Sequence, residues 1–312
     1  MVTFSLCRNH LQYITQAFCQ LTILVKDMWD LFEWGSSKVD WCEKNFIHVY
    51  FVAEFYNTIS NILFLTMPPL LIYLFQPYSK QVSKGANIVF LLLFIVGVGS
   101  AYFHCTLSLL GQLLDEIAIL WVLMAAIAIW FPIRHMPSVF NGDRKMFQTV
   151  IIPLSIISTI LCCVIPEVNA FVLMLFGGPI IWLLFDEYQR TNDIKVKALA
   201  LRSAALWLLG VICWTNDKFL CDTFWYRFPY LHSGWHILIF VSSYAACVLF
   251  AYFQVLEERP ELEVSLRYWP KQGGYWEFLG VPYVFIDAVD LDTLSTHSCW
   301  SQPPSFVQEK LL

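Results

Sequence analysis

Seven apolar runs dominate this chain, most of them near the roughly 20 residues an α-helix needs to cross a bilayer. They fall at about residues 53–76, 86–107, 112–132, 148–166, 169–189, 196–214 and 233–254. Composition agrees: 14% of residues are charged, against roughly 25% in a soluble domain. The expected fold class is an all-α membrane protein, a seven-transmembrane-helix bundle, built as one polytopic domain. Pro68 and Pro69 are expected to kink the first run, and Gly177, Gly178 and Pro179 to loosen the fifth.

Charge in the connections orients the bundle. One side holds Lys80, Lys84, Arg134, Arg144, Lys145, Arg190, Lys195 and Lys197; the other holds Lys38, Lys44, Lys218 and Arg227. Positive residues favour the cytosol, so the N-terminus is expected on the lumenal side and the C-terminus in the cytosol. Residues 1–36 read as an extension of uncertain structure. Its apolar stretch from Ile14 to Val25 is short for a span and lacks a small-residue cleavage site, and Met28 is an alternative start. Residues 37–254 read as the seven-helix membrane domain. Residues 255–312 read as a cytosolic tail, partly flexible and without recognisable chemistry. A net charge of −5 with no basic stretch argues against a nucleic-acid partner. Ten cysteines are too scattered for a small disulfide scaffold.

Polar groups inside apolar runs are costly and mark function by default. The stretch GVGSAYFHCTLSLLGQLLDE, from Gly97 to Glu116, carries Ser100, His104, Asp115 and Glu116. Ser100 and His104 are four apart and share a helix face. Gly111 reads as the turn that separates them from Asp115 in the next helix. The seventh run opens YLHSGWHIL, placing His232 and His236 four apart. Of seven histidines, these three fall at one depth on the lumenal side, whereas His10, His48, His135 and His297 fall in the extension, loops or tail. Three imidazoles from two helices suit a zinc site with an open fourth position, where bound water is activated; iron, nickel or copper would also accept them. The plainer alternative is a hydrogen-bonded cluster of interface histidines.

A second group, Asp40, Glu43, Asn45 and Glu54, gathers hard oxygen donors at the start of the first run. It reads equally as a solvated acidic entry or as a calcium site completed by a backbone carbonyl such as that of Trp41. Asn57 and Asn61 read as interhelical hydrogen-bonding groups.

The segments VDWCEKN, AEFYNTISN, GVGSAYFHCTLSLLGQLLDE, WTNDKFLCDTFW, FPYLHSGWHIL and GVPYV, running in order from Val39 to Val284, resemble the alkaline ceramidases. These are seven-span intramembrane hydrolases related to the adiponectin-receptor-like group. The resemblance implies cleavage of the ceramide amide bond to sphingosine and a fatty acid. It implies zinc on His104, His232 and His236, and an active-site serine and aspartate at Ser100 and Asp115. It implies calcium on Asp40, Trp41 (through its carbonyl), Glu43, Asn45 and Glu54, and a disulfide between Cys42 and Cys221. Nothing is carried over to the residues before Met28 or after Val284.

In that reaction Asp115 is suited to take the water proton and pass it to the leaving nitrogen, and Ser100 to donate to the oxyanion. Serine attack is disfavoured, because three metal-bound histidines leave no separate base. Two other classes fit the same run of helices. A lipid receptor would show metal-free polar packing. A metal transporter would carry ionisable groups along a path through the membrane, whereas here they concentrate in the lumenal half. The expected location is the endoplasmic reticulum or Golgi membrane, with ceramide lipid as substrate; no protein partner is legible.

Overall fold

Each apolar run becomes a helix, and three of these helices start at a capping polar side chain. In the computed structural model, residues 29–221, 223 and 227–287 are described. Most of the extension, including its apolar stretch and Met28, and the end of the tail lie outside the described residues. Helices α1 (Phe55–Ile59) and α2 (Ile62–Leu74) form the first span, followed by the short α3 (Gln76–Gln81). Then come α4 (Gly85–Thr106), α5 (Leu109–Trp130), α6 (Arg144–Val164), α7 (Asn169–Arg190), α8 (Ile194–Leu220) and α9 (Leu231–Glu258). Among the described residues, seven helical segments are long and apolar enough to cross a membrane. Ser108, Asp143 and Asp193 cap α5, α6 and α8 by accepting first-turn backbone N–H groups, which a helix start otherwise leaves unsatisfied.

Helix α9 is the central element. Buried residues fill 67% of its most apolar window, against 17% for the spans 144–164 and 166–190, which face outward. Its Phe240, Tyr244, Val248 and Leu249 join Phe64, Leu71, Phe75, Phe90 and Leu93 in one core cluster. Helix α9 packs mainly on α8, and α4 mainly on α5.

Several details differ from the sequence reading, each for a local reason. The first span breaks at Ser60–Asn61, where the side chains of both residues bond back to the Asn57 carbonyl. Such local bonds compete with helix continuation. Helix α2 then runs through Pro68 and Pro69, and α7 runs unbroken through Gly177, Gly178 and Pro179. Gly111 is not a turn. Leu107, in the left-handed conformation (φ 49°), and Ser108 turn the chain, and Gly111 sits in the first turn of α5. It is needed for close approach: a Cβ there would come within 2.7 Å of the Phe103 Cα. Helix α8 extends to Leu220 rather than ending near Trp214.

Within the described residues the tail carries regular structure. Helix α9 continues to Glu258, and residues 264–286 fold back as an antiparallel hairpin. Strand β1 (Val264–Trp269) pairs with β2 (Val281–Ile286) in the register Val264 to Ile286 through Trp269 to Val281, with α10 (Trp276–Leu279) between them. Leu266, Tyr268, Val284 and Ile286 alternate onto one face and enter the core cluster beside α9. Tyr244 donates to the Pro282 carbonyl across that contact.

Gly111→Ala tests the close approach of α5 to the end of α4. The obstructing atom is backbone, so the helices must separate, at a cost of about 1–3 kcal/mol. Thermal unfolding in detergent should show a lowered midpoint for this variant and little change for Gly177→Ala, whose Cβ would meet nothing within 4 Å.

Candidate metal and catalytic centre

The end of α4, the start of α9 and the segment leading into α1 converge on three imidazoles. His104, His232 and His236 are all buried, and their candidate ligand nitrogens lie within 4.8 Å of one another. Ring centroids are 4.8 Å apart for His104 and His236, 5.0 Å for His104 and His232, and 4.6 Å for His232 and His236.

Each ring is held from outside. Glu54 grips His104 twice: its Oε2 lies 2.5 Å from His104 Nδ1, and its backbone N–H donates to the His104 carbonyl at 2.9 Å. The second bond satisfies a carbonyl at the end of α4. Asn57 Nδ2 and the Trp41 N–H donate to the same Glu54 carboxylate. His236 Nδ1 meets Ser60 Oγ at 2.7 Å. His232 is stacked by Trp41, with ring centroids 3.5 Å apart, and Lys218 lies over the Trp41 ring.

The inward nitrogens tell a different story. His104 Nε2 and His232 Nδ1 are buried without a hydrogen-bond partner. Orphaned buried polar atoms are rare in folded proteins and call for an ion or water. Three buried imidazoles, two of them with an unsatisfied nitrogen, fit the donor set of a bound transition-metal ion.

Ser100 is buried one helical turn before His104, and Asp115 lies opposite on α5, half-buried. Gly99 permits the pairing: a Cβ there would come within 3.0 Å of the Leu114 backbone and 3.2 Å of the Asp115 nitrogen. The backbones of α4 and α5 therefore approach closely where Ser100 and Asp115 face each other.

The acidic group splits in two. Asn45 Nδ2 lies 3.3 Å from both Asp40 oxygens, and Asp40 faces Glu54. Glu43 instead uses both oxygens to accept from the N–H groups of Tyr56 and Asn57, at 2.7 and 2.8 Å, capping α1. Burial pushes the Glu54 carboxyl well above its usual range despite the Asn57 hydrogen bond, and the neighbouring Asp40 adds to the rise. Burial also raises Glu43, against the pull of its two backbone N–H donors. Asn45 Oδ1 is buried without a partner. Asp40 and Glu54, facing each other near an orphaned amide oxygen, are the kind of oxygen donors a hard cation takes, whereas both Glu43 oxygens are engaged by backbone N–H groups.

Sequence reasoning passed over two contributors. Asp217 is buried, and accepts from the N–H groups of Cys42 (3.0 Å) and His232 (3.3 Å). It ties the acidic segment to the start of α9, beside a disulfide between Cys42 and Cys221. Asp217 lies past the expected end of its apolar run, where an aspartate carries no mark of a buried role. Ser60 carries no mark either, whereas Asn57, expected to bond between helices, does so: its Oδ1 accepts from Ser233 on α9.

Fold and centre together define a multi-pass membrane protein with a buried three-histidine cluster able to hold a metal ion. The family model described as Ceramidase matches residues 33–284, and the chain belongs to that family. It is similar to "Alkaline ceramidase" of Drosophila melanogaster, 46% identical over 83% of this chain and 90% of the relative. "Alkaline ceramidase 1" of Homo sapiens is 40% identical over 84% of this chain and 98% of its own length. "Alkaline ceramidase" of Caenorhabditis elegans is 30% identical over 81% of this chain and 94% of its own length.

Asp217→Ala should leave two backbone N–H groups unpaired where the acidic segment meets α9. The expected loss is about 1–3 kcal/mol, read as a lowered unfolding midpoint with the disulfide still intact on non-reducing gels. An unchanged midpoint would remove Asp217 from the frame.

Proposed function

We propose that this protein hydrolyses the amide bond of ceramide to sphingosine and a free fatty acid at a zinc centre held by His104, His232 and His236. The observation that carries the reading is the pair of orphaned imidazole nitrogens beside Ser100 and Asp115, in a chain of the Ceramidase family. A zinc ion there supplies a Lewis acid for the carbonyl and lowers the pKa of water. Asp115 accepts the proton of the attacking water, whose oxygen bonds to the acyl carbon. As the C–N bond breaks, Asp115 returns that proton to the sphingosine nitrogen. Ser100 donates to the carbonyl oxygen as negative charge develops. Both lipid tails lie against apolar helix surface, with the amide at the depth of the histidines.

The basic residues of the connections, eight against four, support a lumenal placement of the centre and a cytosolic hairpin. A disulfide at the same end suits the oxidising lumen of the endoplasmic reticulum or Golgi. A calcium ion held by Asp40, the Trp41 carbonyl, Glu43, Asn45 and Glu54 would neutralise these carboxylates and fix the segment that carries Glu54 to His104.

The direct test is sphingosine release from ceramide in detergent, lost with a chelator and restored by zinc. Ceramide binding without release would leave a receptor. Within an active enzyme, Ser100→Ala should lower turnover by roughly 10²–10³, the usual loss of one oxyanion donor. Asp115→Asn should lower it further, and both variants should retain metal. An acyl adduct on Ser100 would replace this mechanism with serine attack. For calcium, Asp40→Asn leaves the histidines and Glu54 untouched, yet should weaken the stabilisation that added calcium gives. Equal calcium response in variant and wild type would return the carboxylates to a solvated entry.

A further inference from the structure

The contact between His236 and Ser60 fixes more than the angle of the ring. Ser60 Oγ lies 2.7 Å from His236 Nδ1 and 2.9 Å from the Asn57 carbonyl oxygen. A hydroxyl has one proton and two lone pairs, whereas a carbonyl oxygen only accepts. The Asn57 oxygen, with two lone pairs, also takes a hydrogen from Asn61 Nδ2 at 3.0 Å. Both short contacts of Ser60 are satisfied by one arrangement: Ser60 O–H donates to Asn57, and His236 Nδ1–H donates to Ser60. The hydrogen of the neutral imidazole is then spent on Nδ1, and Nε2 presents a bare lone pair.

We propose that Ser60 is a positioning residue that, as a hydrogen-bond acceptor, locks His236 into the tautomer whose Nε2 can ligate a metal. The proposal rests on the metal-centre reading above. Glu54 treats His104 in the same way, accepting at Nδ1 and leaving Nε2 unpartnered. Asn57 joins the two, since its side chain donates to Glu54 Oε2 and its carbonyl takes the Ser60 proton. One short stretch, Glu54 to Ser60, thus sets the tautomers of imidazoles from two helices, α4 and α9. Hydrogen bonds to the far nitrogen commonly govern ligand orientation and basicity in metal sites. With the proton reversed, Ser60 would donate to Nδ1, Nε2 would carry the hydrogen, and the serine would oppose metal binding. The two arrangements therefore predict opposite signs.

The test is zinc content, by elemental analysis of full-length protein in detergent equilibrated against a graded chelator series. Ser60→Ala should weaken zinc retention by about 10–100-fold. Ser60→Cys keeps the volume but offers a weak acceptor, and should show the same direction even where the alanine variant folds poorly. Ser60→Thr keeps the hydroxyl and should stay within a few-fold of wild type. Alanine and cysteine variants that hold zinc as tightly as wild type, or more tightly, would overturn the proposal. So would a threonine variant that loses as much as alanine. Wild type that retains no transition metal would instead bring down the metal-centre reading, and this inference with it.

Discussion

The arrangement around the histidines depends on how the end of α4 is closed. A helix terminates with carbonyls that lack partners, and in a bilayer protein water cannot be counted on to supply them. Here the segment before α1 supplies them, through Glu54 to His104, Ala53 to Cys105, Gly35 to Thr106 and Ser37 to Leu107. Because Glu54 also accepts from the His104 side chain, one residue closes the helix and aims the imidazole. The carboxylate in turn is held by Trp41 and Asn57. Backbone closure, ring orientation and the acidic cluster are thus one connected structure.

Much of this was legible from residue types alone. Ionisable groups are rare in apolar runs, so His104, Asp115, His232 and His236 stand out before any fold is known, and helical spacing already puts Ser100 on the face of His104. The hydrophobic runs located the spans. What the sequence concealed falls into two kinds. Ser60 and Asp217 act on partners 176 and 15 residues away, and a serine at a helix break carries no mark of such a partner. Gly111 reads as a turn because turns and close helix contacts both need a missing Cβ. Only the position of Phe103 separates the two uses.

The hairpin was missed for a different reason. Six-residue strands with two buried positions each are too short to stand out from a polar tail. Their burial comes from α9, which their own sequence does not disclose.

Helix α9 therefore has a fastening at each end. Asp217, Ser60 and Asn57 hold its first turns, and the hairpin wedges Val284 and Ile286 against the core it shares at the other end. A helix pinned twice cannot slide along its axis without breaking one fastening, and a slip of one turn would carry the two histidines about 5.4 Å out of plane with His104. The hairpin thus works as a depth stop. Residues at one end of the bundle thereby fix the depth of the histidine cluster at the other.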